Sequence, residues 1–206
     1  MVDWFDSPLV ALDVETTGIA ETDSVVEIAC VVVERRRVVF ERAVLLNPGI
    51  PMPEAASKVH GITDELLAEC KRFADVAEHV DSRIRSGQPV AYNAPFDRRM
   101  IGLELERCGR VIGSGPWIDP LVWVQKIDKY ERGKKLTDAC RRRGIKISAH
   151  RALGDARATL SLLFALRKHM PADPSELLFE QATLAGEQET ERQAWRAAHP
   201  RLEATT

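Results

Sequence analysis

Three β-rich runs open this chain, residues 8–14, 24–34 and 38–46, and the connections between them are too short to contain crossover helices. Parallel neighbours need a crossover of about a dozen residues or more, so these runs pair antiparallel at one side of a sheet. Arg35-Arg36-Arg37 falls between the second and third runs and reads as a hairpin turn. Farther on, Phe73, Val76, Ala77, Val80 and Ile84 form a helical stripe that ends near Gly87. PVAYN and WIDPL then resemble two short buried strands, with helices between and after them. The pattern is α/β, a mixed sheet with flanking helices.

With 206 residues, 45% of them hydrophobic, the chain can bury one substantial core. The expected division is a domain over residues 1–170 and a C-terminal tail over 171–206, where Pro171, Pro174 and Pro200 bracket a polar region. A formal charge of −2 excludes a general DNA-coating protein, so nucleic-acid affinity has to come from local features. One such feature is the segment holding Lys126, Lys129, Arg132, Lys134 and Lys135. Cys30, Cys70, Cys108 and Cys140 have no close pairing, which argues against a zinc site and for buried thiols. Their separation, and the lack of a signal-peptide pattern at MVDWFDSPLV, favour a cytoplasmic or other reducing compartment. No apolar stretch reaches the roughly 20 residues of a spanning helix, so no membrane association is expected.

Five residues carry the chemistry. Asp13 and Glu15 end the apolar run of LVALDVETTG two positions apart, so on a strand both carboxylates share one face. Asp97 follows Asn93, a candidate N-cap, in YNAPFDRRM, where Phe96, Met100 and Leu103 recur at helical spacing. His150 occupies a loop before an apolar-striped helix opened by Gly154 and Asp155. Singly, each acid reads as a solvated strand end or a helix cap. Together, four carboxylates and one imidazole are what two divalent cations and a proton acceptor need around a phosphodiester. A histidine with an ordinary pKa of about 6.5 can take a proton from water at neutral pH, which makes His150 the expected general base.

DVETTG, YNAPFD and HRALGD, in that order, resemble the three motifs of the DEDDh exonucleases, a family that includes epsilon-type proofreading subunits; VHGITDELL between the first two is similar as well. The resemblance covers roughly residues 8 to 170. It implies a ribonuclease-H-like fold, with Asp13, Glu15, Asp97 and Asp155 as ligands of two Mg²⁺ or Mn²⁺ ions and Asp13 bridging them. It also implies 3′-to-5′ hydrolysis at single-stranded or frayed DNA ends, releasing nucleoside monophosphates in proofreading or repair. Ile19, His60 and Phe96 match family positions that contact the terminal nucleotide. Thr16, Thr17 and Gly18 bring backbone groups to its sugar, or simply turn the chain after the first strand.

Single-stranded nucleic acid, DNA ahead of RNA, is the expected partner, with a DNA polymerase or a sliding clamp as further candidates. QATLAG in the tail resembles clamp-binding peptides, but Gly186 stands where such a peptide offers a large apolar anchor. An amphipathic tail packed on its own domain fits that segment better. Degradation of short RNA remains open, as does a noncatalytic nucleic-acid-binding adaptor, although the complete set of acids and histidine argues against the adaptor.

Overall fold

The computed structural model describes residues 3–113, 115–147 and 151–199. Strands β1 (Leu9–Thr16), β2 (Val25–Glu34), β3 (Arg37–Leu45) and β4 (Gln88–Val90) form a sheet in the order β3-β2-β1-β4. β1 pairs antiparallel with β2, and β2 with β3, whereas β4 lies parallel to β1. The three opening runs therefore fold as a meander, as their short connections require. Arg35 and Arg36 alone make its second turn, with φ of 46° and 64°, and Arg37 already belongs to β3. Positive φ at both central residues suits the twist of a two-residue hairpin. For arginine that conformation costs about 1–2 kcal/mol per residue. Arg36 is restrained by Asp6 at 3.6 Å and by the Phe5 ring at 5.4 Å.

Helices cover both faces. On one, α3 (Ala77–Ile84) and α4 (Ala94–Arg107) lie over Val10, Leu12 and Val14 of β1. On the other, α5 (Pro120–Ile127), α6 (Leu136–Arg142) and α7 (Ala152–Leu166) lie over Leu9 and Ala11. Short helices α1 (Glu54–His60) and α2 (Asp64–Leu67) follow β3. β1 is buried on both faces because its side chains alternate between two apolar layers. Asp13 and Glu15 interrupt this pattern only at its carboxyl end.

WIDPL is not a full strand. Ile118 makes an isolated parallel bridge to Val90, and Asp119 and Pro120 immediately start α5. The Asp119 side chain accepts from Leu121 N, and proline is suited to the first helical position, so helix capping stops the strand after one residue. Beyond residue 170 comes α8 (Pro174–Ala198), capped by Asp173. Its first turns belong to the body. Leu177 is fully buried, and the Gln181 amide accepts from Asp119 N and donates to Trp117 O, each at 2.8 Å. That amide takes the place of a further strand on the outer side of Ile118. Residues 190–199 are exposed throughout. Among the described residues, no helix is long and apolar enough to cross a membrane.

Candidate active site

β4 stops opposite Ala11, so β1 runs on past its parallel neighbour. There Asp97, in the first turn of α4, accepts from Val14 N at 3.0 Å and is 3% exposed. On the other face, α7 packs along β1 and β2 and brings Asp155 in its first turn toward Asp13 and Glu15. Carboxylate oxygens of Asp13, Glu15 and Asp155 all lie within 4.8 Å of one another. Strand alternation, a helix-borne acid from each side and the early end of β4 thus gather four carboxylates at one end of the sheet.

The electrostatics follow from that crowding. Burial, then the carboxylates of Asp97, Asp155, Glu15 and Glu27, push Asp13 well above the ordinary carboxylate range. Glu15 rises to about 7, mainly through burial and then through Asp155 and Glu27, with Arg151 opposing. Asp97 is raised by burial despite the backbone N–H groups that favour its charged form. Like charges this close each disfavour ionisation of the others. The donor set is all carboxylate oxygen, which fits hard divalent cations such as Mg²⁺ or Mn²⁺ and not zinc held by sulfur and nitrogen.

His150, the expected general base, lies outside the described residues. The remaining expected residues are described. Thr16 Oγ1 donates to Gly18 O at 2.6 Å, and Thr17 Oγ1 donates to Asp23 at 2.9 Å while accepting from Ser24 N at 3.0 Å. A Cβ on Gly18 would stand 2.5 Å from the Asp23 carboxylate, so the close turn requires glycine there. Arg99 of α4 donates to Ile19 O at 2.7 Å and lies 6.0 Å from the centre of the Phe96 ring. One arginine therefore links Ile19, which is 77% exposed, to the half-buried Phe96.

His60 is placed differently from the loop expected for it. It is the last residue of α1, buried, with Nδ1 accepting from Ile62 N at 3.1 Å. Gly61, at φ 72°, ends the helix after it. The left-handed glycine visible in the sequence is a helix C-cap, not the start of an open loop. Burial lowers the His60 pKa, against a backbone hydrogen bond to Thr16 and the charge of Glu27, and so favours the neutral ring. Asn93 holds the N-cap position of α4, but its side chain makes no capping bond. Asp119 does that work from across the chain, accepting from Asn93 N and Ala94 N at 3.0 Å each.

Much of the basic segment is committed internally. Lys126 pairs with Glu180 at 2.5 Å, Lys129 with Glu191 at 3.6 Å, and Lys134 donates to the carbonyls of Asp128 and Glu131. Two further acids border the cluster and were not anticipated, Asp119 and Glu27. Each had a signal: Asp119 precedes a proline, as a helix cap does, and Glu27 is a lone charge inside the apolar run VVEIACVVV.

The RNase_T family, described as Exonuclease, matches residues 10–163. "DNA polymerase III subunit epsilon" of Treponema pallidum (strain Nichols) is 29% identical over 163 residues, 77% of this chain and 76% of that protein. A "DNA polymerase III subunit epsilon-like protein" of Rhodobacter capsulatus is 37% identical over 174 residues, and there the match spans 77% of this chain but only 24% of the relative. Among solved structures, "Exonuclease X in complex with 5' overhanging duplex DNA" superposes with a TM-score of 0.68 over 84% of this chain and 99% of that one, at 24% identity, which establishes the shared fold. Fold, motif order and sequence kinship agree: the chain belongs to the exonuclease family, with the ribonuclease-H-like architecture of its DEDDh members.

Proposed function

We propose that the protein is a metal-dependent 3′-to-5′ exonuclease that hydrolyses phosphodiesters at single-stranded or frayed DNA ends and releases nucleoside monophosphates. The observation that carries this reading is the convergence of Asp13, Glu15 and Asp155, with buried Asp97 beside them, at one end of the sheet. These four carboxylates hold two Mg²⁺ or Mn²⁺ ions, which when bound supply stabilisation of the negative charge on the attacking and leaving oxygens. His150 accepts the proton of the attacking water. Thr16, Thr17 and Gly18 form the rigid turn that borders the terminal sugar. Ile19 and Phe96, linked by Arg99, pack against the terminal base, while buried His60 supports the Thr16 side of the site. The kinship with epsilon subunits favours work beside a DNA polymerase. A clamp-binding role for QATLAG is not supported, because Gln181 is buried in the fold and bonded there.

Single-turnover cleavage tests the assignment. His150→Ala should lower the chemical step by roughly 10²–10⁴-fold while metal binding is largely kept. Asp155→Asn should weaken both. Cleavage unchanged in His150→Ala would remove it as the base, and activity on RNA equal to that on DNA would favour the short-RNA reading.

A further inference from the structure

Glu27 is the third residue of β2, 1% exposed, directly across from Glu15 in the strand ladder. Both of its oxygens are engaged. Oε1 accepts from Arg151 Nη2 at 3.2 Å, and Oε2 accepts from Ala152 N at 3.2 Å. Burying a carboxylate is costly even when it is paired, and an apolar residue would fill an interior strand position at less cost. The reason for a glutamate has to lie in what it holds.

It holds the first turn of α7. The N-cap residue of that helix, Arg151, makes no capping bond through its own side chain, so the negative charge that a helix N-terminus favours comes instead from the sheet. A cap supplied by the preceding residue would move with the helix. One supplied by β2 fixes the helix at a particular row of the sheet, the row of Glu15. Ala152 and Asp155 are three residues apart and so lie on the same helix face, about one turn from each other. The grip on Ala152 therefore sets where Asp155 projects.

We infer that Glu27 is a positioning residue for the acid cluster: it pins the start of α7 to β2 so that Asp155 meets Asp13 and Glu15 at the spacing a divalent-ion centre requires. Each of its oxygens already accepts a hydrogen bond, and it stands outside the converging trio, so its part is to brace the ligands rather than to be one. This inference rests on the metal-dependent reading proposed above.

The test is calorimetric titration of the full chain with Mn²⁺, alongside the Mn²⁺ dependence of single-turnover cleavage and thermal melting in chelator. Glu27→Gln keeps the shape and removes the charge; Glu27→Asp keeps the charge and shortens the reach. Both should weaken Mn²⁺ binding by about tenfold, with the cleavage rate recovered at saturating Mn²⁺. Melting in chelator reports whether each variant keeps the fold. If one variant fails to fold, the other carries the test. Unchanged Mn²⁺ affinity in a folded variant overturns the inference. A loss as complete as in Asp13→Asn, beyond rescue by saturating Mn²⁺, overturns it too, because Glu27 would then be a ligand. Absence in the parent protein of any Mn²⁺ binding that Asp13→Asn removes defeats the metal centre itself, leaving Glu27 nothing to position.

Discussion

Asp13 is held under electrostatic stress, raised well above the ordinary range by burial and by the carboxylates around it. Replacing it with asparagine relieves repulsion in the metal-free protein while deleting a ligand. Asp13→Asn should therefore melt in chelator at or above the parent temperature, yet lose roughly 10²-fold or more of its cleavage rate, since charge stabilisation by bound ions is worth several kcal/mol. Differential scanning calorimetry and a rate assay on one preparation check both halves; near-parental cleavage would take Asp13 out of the centre. Glu15 gives the pH dependence. Its carboxyl titrates near 7 in the folded chain against about 4.5 when unperturbed, so folding takes up a proton between those values. Its contribution in metal-free protein is full below the lower value and is lost as pH rises through about 7. Metal binding needs the carboxylate and so releases protons below that pH. Melting temperature in chelator should fall between about pH 5 and pH 8, and the upshift caused by Mn²⁺ should grow over the same range. An Mn²⁺ upshift that shrinks with rising pH would contradict this account.

Gln181 shows how a secondary-structure element can be completed by a side chain. Its amide satisfies Asp119 N and Trp117 O beside the one-residue bridge at Ile118. Gln181→Leu fills similar space and leaves both backbone groups without these partners, at about 1–3 kcal/mol for each group orphaned. Urea unfolding should show that loss, and an unchanged midpoint would mean that α8 is dispensable to the body. This contact is also where the sequence was least readable. The meander of β1, β2 and β3 was legible because three periodic runs with short connections leave one pairing. β4 was legible as a short apolar run. WIDPL misled because an apolar dipeptide looks like a strand whether the following Asp-Pro ends it at once or not. That the QATLAG segment packs on its own domain was legible, but the part played by Gln181 was not, because its partners lie 62 and 64 residues away. Gly61 announced a turn, but whether His60 before it was buried depended on Thr16 and Ile62 closing over it.

Across the whole molecule, the charge is close to balanced and the basic segment near α5 is largely paired with α8 and its own loop. Backbone attraction alone is then too weak to open a duplex, so frayed or single-stranded 3′ termini should react faster than paired ones. In the function proposed above, Ile19 and Phe96 hold the separated base. Their alanine variants should lose about 1–3 kcal/mol of that engagement, the usual worth of a base contact. Arg35→Ala in the hairpin should change nothing. Matched against mismatched 3′ ends in single-turnover assays measure this, and discrimination unaltered in both Ile19→Ala and Phe96→Ala would remove them as the wedge. Beneath all these expectations lies one claim, that the acid cluster is a metal-dependent 3′-end hydrolase. A time course with 3′- and 5′-labelled DNA and RNA oligonucleotides, in Mn²⁺ and in chelator, tests it directly. Expected are Mn²⁺-dependent release of mononucleotides from 3′-labelled substrate, a ladder of stepwise shortened products from 5′-labelled substrate, and DNA consumed faster than RNA. Cleavage that persists in chelator, or mononucleotides released first from the 5′ label, would contradict it.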